Sequence, residues 1–155
     1  MRLARLGLLA LSAVGLGGCG LITAPTEGSR LSAARRLWSN SALSDYRYEV
    51  RSVCECLQGG RWIAVTVIAG TVRSGTYLDS ETPLETAFLR ALPTVPALFD
   101  RIQHAIEESA VLLEVEYDSG NGHPTLINVD ISRAVAYEEF TLHTRNLTPV
   151  FKRSP

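Results

Sequence analysis

At 155 residues the chain has room for one domain. A hydrophobic content of 46% and a charged content of 20% are ordinary globular values, so most of the chain can bury a core. The formal net charge is −1, lysine occurs once, at Lys152, and there is no basic run, which argues against a nucleic-acid partner.

The first segment has three parts. Met1 to Arg5 carries two positive charges, Leu6 to Leu16 is an apolar run, and Leu16-Gly17-Gly18-Cys19 ends it. A basic start, a short apolar stretch and small residues before a cut site mark a secretory signal. The run is about half of the ~20 residues that span a bilayer, so it does not read as a permanent transmembrane helix. Small residues just before a cysteine resemble the bacterial lipobox, in which the thiol receives a lipid and the peptide is cut before it. Residues 1–18 are therefore expected to be a lipoprotein signal peptide and Cys19 the lipid attachment site. Removing Arg2 and Arg5 with the leader leaves 13 basic residues against 16 acidic ones, a net charge of −3.

Residues 19–29 read as a flexible tether reaching about 15–20 Å. Arg30 to about Asn40 places Leu31, Ala34, Leu37 and Trp38 on one side at helical spacing, with Ser29 as the expected cap. Asp45 to Cys56 alternates: Tyr46, Tyr48, Val50, Ser52, Cys54 and Cys56 share one face, while Arg47, Glu49, Arg51 and Glu55 lie on the other. Trp62 to Ile68 and Thr71 to Leu78 follow as strands across an Ala69-Gly70 turn. Asp79 to Leu92 is irregular, with one apolar turn at Ala87, Phe88 and Leu89. Thr94 then caps a helix whose stripe is Val95, Leu98, Phe99, Ile102, Ala105 and Ile106. Three more strands are expected at Val111 to Tyr117, Thr125 to Ile131 and Glu138 to Arg145, with a dense turn cluster at 118–124. The expected fold is α+β. About six antiparallel strands form two meanders, and two helices pack on one face. The domain spans residues 30–147, residues 148–155 form a loose tail, and the two halves are read as a possible αβββ repeat.

Candidate chemistry is sparse. Cys54-Glu55-Cys56 puts two thiols on one strand face. An exported chain meets oxidising conditions, and with Cys19 lipidated these are the only intrachain partners left for each other. Cα atoms two residues apart on a strand lie about 6.6 Å apart, near the ~6.8 Å limit of disulfide geometry, so a bond needs a bend or bulge. Reduced buried thiols and a metal or redox role are the alternatives. A metal site needs further ligands, and His104, His123 and His143 stand at no metal-finger spacing. Asp118, Asp130, Glu138 and Glu139 offer acid groups but no calcium-loop spacing. No G-x-S-x-G, H-E-x-x-H, P-loop or G-x-G-x-x-G occurs. No catalytic or metal-ligating residue is therefore assigned, and the only expected cofactor is the covalent lipid on Cys19.

Trp38, Tyr46-Arg47-Tyr48, Cys54-Glu55-Cys56, Val65-Thr66-Val67 and Gly70 resemble a family of bacterial lipoproteins defined as domain-of-unknown-function family 6174. So do Leu98-Phe99 with Ile102, Val115-Glu116-Tyr117-Asp118, Gly122-His123-Pro124 and Asp130. The resemblance runs from about Ser32 to Leu147. The family tends to carry Tyr where His123 stands and an acidic residue near Ala136. It has no assigned activity, so the resemblance implies an address and a fold but no catalytic residue. Its matching positions single out Tyr117, Asp118, His123 and Asp130 as a candidate surface site.

The leading expectation is a membrane-anchored envelope lipoprotein, a non-enzymatic binding or structural module. Its expected partners are the membrane, through the lipid, and another envelope protein or ligand. The alternatives are a thiol-redox or metal-binding protein acting through Cys54 and Cys56, and an inhibitor-like module, the latter by fold analogy alone. Gly20 rather than Asp follows Cys19. That implies the outer membrane, facing the periplasm, where two membranes exist, and otherwise the outer face of the cell membrane. Cys54 and Cys56 are expected to be joined in a structural disulfide. Mass spectrometry of unreduced, alkylated envelope protein should find no alkyl group on the peptide that carries them; two alkyl groups would show free thiols or a metal site instead.

Overall fold

The computed structural model describes residues 24–53, 59–132 and 139–151. Its elements are α1 (Glu27–Ser41), β1 (Tyr46–Val53), β2 (Ile63–Ile68), β3 (Thr71–Tyr77), α2 (Thr86–Leu89), α3 (Val95–Glu107), β4 (Leu112–Tyr117), β5 (Pro124–Asp130) and β6 (Phe140–Pro149). The six strands form one open antiparallel sheet in the order β3-β2-β1-β6-β5-β4. Both expected meanders are present, and they join where the first strand pairs with the last.

Alternation along each strand sends one set of side chains to the helices. Tyr46, Tyr48 and Val50 on β1, Ile63, Val65 and Val67 on β2, and Val115, Ile127, Val129 and Leu142 on the other half are all buried. α3 answers with Val95, Leu98, Phe99, Ile102 and Ala105, and α1 with Leu31 and Ala34. Two tyrosines bind the layers together. The Tyr46 hydroxyl accepts a 2.9 Å hydrogen bond from the Val95 N–H, one of the free donors of the α3 first turn. The Tyr48 hydroxyl donates to the Pro93 carbonyl just before that helix. Trp38 of α1 packs edge-on against the Tyr46 ring at 5.2 Å. Burial pushes both phenols above their ordinary pKa. For Tyr46 the Val95 N–H works the other way, and for Tyr48 the neighbouring Tyr46 adds to the rise.

Several expectations are corrected. α1 starts at Glu27 with Thr26 as its cap; Thr26 Oγ1 accepts from the Ser29 N–H, so residues 27–29 of the expected tether are helical. Leu37 stays 41% exposed, at the margin of the apolar stripe. The apolar turn at 86–89 is a short helix, α2, so the described residues hold three helices. β6 does not end at Arg145. It continues through Asn146 at φ 55° to pair Thr148 with Arg47 and Pro149 with Tyr46, so the expected loose tail begins inside a strand. The physical reason is pairing: β1 is a central strand, and without residues 147–149 its first half would leave buried backbone groups unbonded. The αβββ repeat also fails. The halves keep the same left-to-right strand order but run in opposite directions. A rotation achieving that would put their helices on opposite faces, yet α1 and α3 share one. The Cys54–Cys56 motif lies outside the described residues, as do Cys19 and the signal segment.

Tyr46→Phe leaves the buried Val95 N–H without its acceptor. It should lower stability by about 1–3 kcal/mol in urea denaturation with an unchanged m-value. A loss below about 0.5 kcal/mol would mean that this hydroxyl does not hold the start of α3.

Candidate functional site

Of the four residues singled out in the second half, the structure brings three together. Tyr117 ends β4, Asp118 opens the following turn and His123 closes it. Asp130 lies at the far end of β5, opposite Leu112 and about 20 Å along the strand. The three clustered groups are spent on structure. The Tyr117 hydroxyl donates to Glu27 Oε1 at 2.8 Å, and burial together with that carboxylate raises its pKa above the usual phenol value. Arg30 completes the joint by bonding Glu27 at 2.6 Å and the Val115 carbonyl at 2.7 Å. Asp118 Oδ1 accepts from the N–H groups of Gly120 and Asn121, both at 2.9 Å, which closes the turn.

His123 is only 4% exposed. Asn121 Oδ1 accepts from the His123 backbone N–H at 3.0 Å and lies 2.6 Å from Nδ1, which fits a neutral ring donating from Nδ1. Nε2 is buried with no hydrogen-bond partner among the described residues. Gly122, at φ 79°, brings this turn under α1: a Cβ there would sit 2.3 Å from the Ala34 carbonyl oxygen. The cluster is therefore a clamp between the β4–β5 turn and the first half of α1, and it exposes little to a ligand.

Two features escaped the sequence reading. The first is an open groove of about 460 Å³ between the second half of α1 and the start of α3. Trp38, Leu43, Pro96 and Phe99 supply its apolar wall, while Arg35, bound to Asp100 at 3.0 Å, sits at the rim. Helical spacing singled out Trp38 and Phe99, but no local pattern announces that two helices separated by the first meander leave a gap. The second is on the uncovered face of the sheet. Trp62 lies between two guanidinium groups, 3.9 Å from Arg145 and 4.9 Å from Arg51. Arg145 is also bonded to Glu49 at 2.6 Å. Burial alone would raise the Glu49 pKa, but hydrogen bonds from Asn146 and Arg145 outweigh it and hold the carboxyl below its ordinary value. The outward positions of Arg47, Glu49 and Arg51 were legible from alternation; their company on β6 required the β1–β6 pairing.

Among the described residues, no group of three or more His, Cys, Asp or Glu side chains gathers to hold a metal ion. No described helix is long and apolar enough to cross a membrane. His104 is exposed on α3, and His143 faces outward opposite Arg51.

The buried imidazole has a pH consequence. Burial lowers the His123 pKa below its ordinary value, and Asp118 offsets this only in part. A folded-state pKa below the unfolded one means that the unfolded chain binds the proton first. The stability held by the neutral ring is complete above the unfolded value of about 6.5 and is lost as pH falls below it. Between pH 7.5 and 5.5 the wild type should lose more stability than His123→Gln, with a slope difference of at most about 1.4 kcal/mol per pH unit. Parallel urea-midpoint curves for the two would show that another group carries the acid sensitivity.

No curated protein and no solved structure matches the chain in comparison searches. A family of unknown function, DUF6174, matches residues 30–149. That span covers α1 almost entirely, every strand and both longer helices, and ends where β6 ends. The chain belongs to the DUF6174 family of unknown function.

Proposed function

We propose that this chain is a lipid-anchored envelope protein whose domain is a non-catalytic binding module held close to the membrane. The observation that carries the reading is how soon the fold begins after the lipobox cysteine. Only Gly20 to Thr26 separate Cys19 from α1, a reach of roughly 15 Å. The first turn of α1 is fixed to β4 through Glu27, Tyr117 and Arg30. A lipid on Cys19 would thus hold one defined end of the sheet at the bilayer, the end carrying the β4–β5 and β2–β3 turns. That arrangement supports a module working on a partner at the membrane surface rather than one reaching across the periplasm.

The polar groups of the described surface favour binding over catalysis. Glu27, Tyr117, Asp118 and Glu49 are committed to hydrogen bonds that position backbone or neighbouring side chains. The α1–α3 groove is lined by Trp38, Leu43, Pro96 and Phe99 together with Ser39 and Ser44, with the paired Arg35 at its rim.

Cys19→Ser tests the reading. Radiolabelled palmitate should enter the wild type and not the variant, and the variant should leave the membrane fraction or remain unprocessed. Equal labelling of both would remove the anchor. In a cell with two membranes, fractionation should place the wild type in the outer one.

A further inference from the structure

α1 and two strand turns meet at one end of the sheet. The β4–β5 turn lies there, with Gly122 under the Ala34 carbonyl; a Cβ on Gly122 would also sit 2.9 Å from Leu37 Cβ. The α1–β1 junction lies beside the β2–β3 turn. There the Gly70 N–H donates to the Ser44 carbonyl at 3.3 Å, and the Ala69 N–H donates to Asp45 Oδ1 at 2.8 Å. β6 leaves the sheet at the same point, where the Val150 N–H donates to the Asp45 carbonyl at 2.9 Å. α1 therefore runs along this end, from β4, where Arg30 bonds the Val115 carbonyl, to β1, where Trp38 meets Tyr46.

This end shows apolar side chains to solvent. Leu37 is 41% exposed and Phe151 is 83% exposed, the highest value for a large apolar side chain among the described residues. The α1–β1 junction, through Ala42, Leu43 and Ser44, borders both the α1–α3 groove and a second open groove of about 320 Å³ beside Phe151. Ala69, Gly70 and Gly120 are exposed and uncharged. Asp45 and Asp118 are the carboxylates of these loops, and each accepts from backbone N–H groups. Glu27 and Asp100 are paired with Arg30 and Arg35. The nearby cations without a printed carboxylate partner are Arg36 on α1, Arg47 at the start of β1 and Arg73 near the start of β3. The opposite end is acidic. Glu107 and Glu108 close α3, Asp130 ends β5, Glu139 precedes β6, and Arg61 is paired with Asp79.

We propose that this end of the domain docks on the surface of the bilayer that holds the Cys19 lipid, with Leu37 and Phe151 entering the headgroup layer. The proposal rests on the lipid-anchored reading and goes beyond it. A tether alone lets the domain turn, whereas docking fixes which way it faces. The occupant follows from where the chain enters the fold. Gly20 to Thr26 span at most about 25 Å when fully extended, and they lead into α1, which lies along this end. The bilayer surface is therefore closer to this end than to any other part of the domain. Apolar side chains with basic residues behind them suit an interface of acyl chains and anionic headgroups. The acidic end points away from that surface. Each contact is weak alone, and the covalent lipid makes it effective by confining the domain beside the membrane. Docked in this way, the strands stand upright and the α1–α3 groove opens next to the bilayer.

The two tryptophans report the orientation. Trp38 lies at the docking end, and Trp62, six residues before Ile68, lies about 20 Å up the strands. The test uses the lipidated chain in vesicles of phosphatidylethanolamine and phosphatidylglycerol that carry a nitroxide just below the headgroup. Trp38, isolated by Trp62→Phe, should be quenched several-fold more than Trp62, isolated by Trp38→Phe. The wild type, which holds both, gives the Trp62 share by difference. Adding Leu37→Glu/Phe151→Glu to the Trp62→Phe chain should remove the excess quenching, because carboxylates leave the headgroup layer, while palmitate labelling stays unchanged. Phe151→Glu alone should act in the same direction. Circular dichroism should show the variants folded. Equal quenching of the two tryptophans, or Trp38 quenching that the glutamates leave unchanged, would overturn the docking. Palmitate labelling separates the two readings. A labelled chain without preferential Trp38 quenching keeps the anchor and loses the docking. An unlabelled wild type sinks the anchor; preferential Trp38 quenching when that chain is mixed with the same vesicles supports the docking, and its absence overturns it.

Discussion

The fold hangs on two phenols. Tyr46 and Tyr48 sit on the central strand, fully buried, and both hydroxyls reach the start of α3. A buried tyrosine needs a partner for its hydroxyl, and the first turn of a helix has backbone donors that need acceptors. Tyr46 satisfies both requirements at Val95, while Tyr48 donates to the Pro93 carbonyl just before the helix, so together they fix where α3 begins. Trp38, standing edge-on against Tyr46, brings the second half of α1 to the same point. The angle between the helical layer and the sheet is thereby set by polar contacts, while the apolar stripes supply most of the stabilisation.

From that point the topology is constrained. α3 crosses the buried face and delivers β4 to the far edge of the sheet, because β3 has closed the other side. β5 and β6 then return toward the middle, and the last strand meets the first. This closure pairs residues as distant as Tyr46 and Pro149. Contacts of such separation are slow to form, so the central β1–β6 ladder should assemble late in folding. The two edge strands resist unwanted pairing in different ways. β4 carries Glu114 and Glu116 outward, and β3 is irregular near Val72 and caps its end with the Pro83 bridge.

The two faces of the sheet divide the labour. The covered face, with the β4–β5 clamp under α1, makes the rigid body and fixes the end at which the chain enters it. His123 belongs to that rigid body, as do Tyr117 and Asp118. Among the described residues nothing packs on the other face, where Trp62 lies against Arg51 and Arg145 and Arg145 is bonded to Glu49.

By itself the sequence determined the strands and the two longer helices, though not the short α2 or the Thr26 cap of α1. Period-two alternation named β1, β4, β5 and β6, β-branched residues named β2, apolar spacing named α1 and α3, Thr94 marked the α3 start, and Ala69-Gly70, where both residues take positive φ, marked the turn into β3. The basic, apolar and small-residue series before Cys19 set the expected address in the same way. Only the tertiary structure decided what depends on partners distant in the chain. It ran β6 on to Pro149, because β1 supplies a ladder that the local sequence after Arg145 does not reveal. It put Asp130 far from Tyr117, because opposite ends of a strand stay apart whatever their neighbours in sequence. It turned His123 inward, because Gly122 lets the turn approach the Ala34 carbonyl more closely than a side chain allows. Hydrogen bonding along one segment is a local affair and can be read from spacing, but a pairing between segments has its energy in both, and neither one carries it alone.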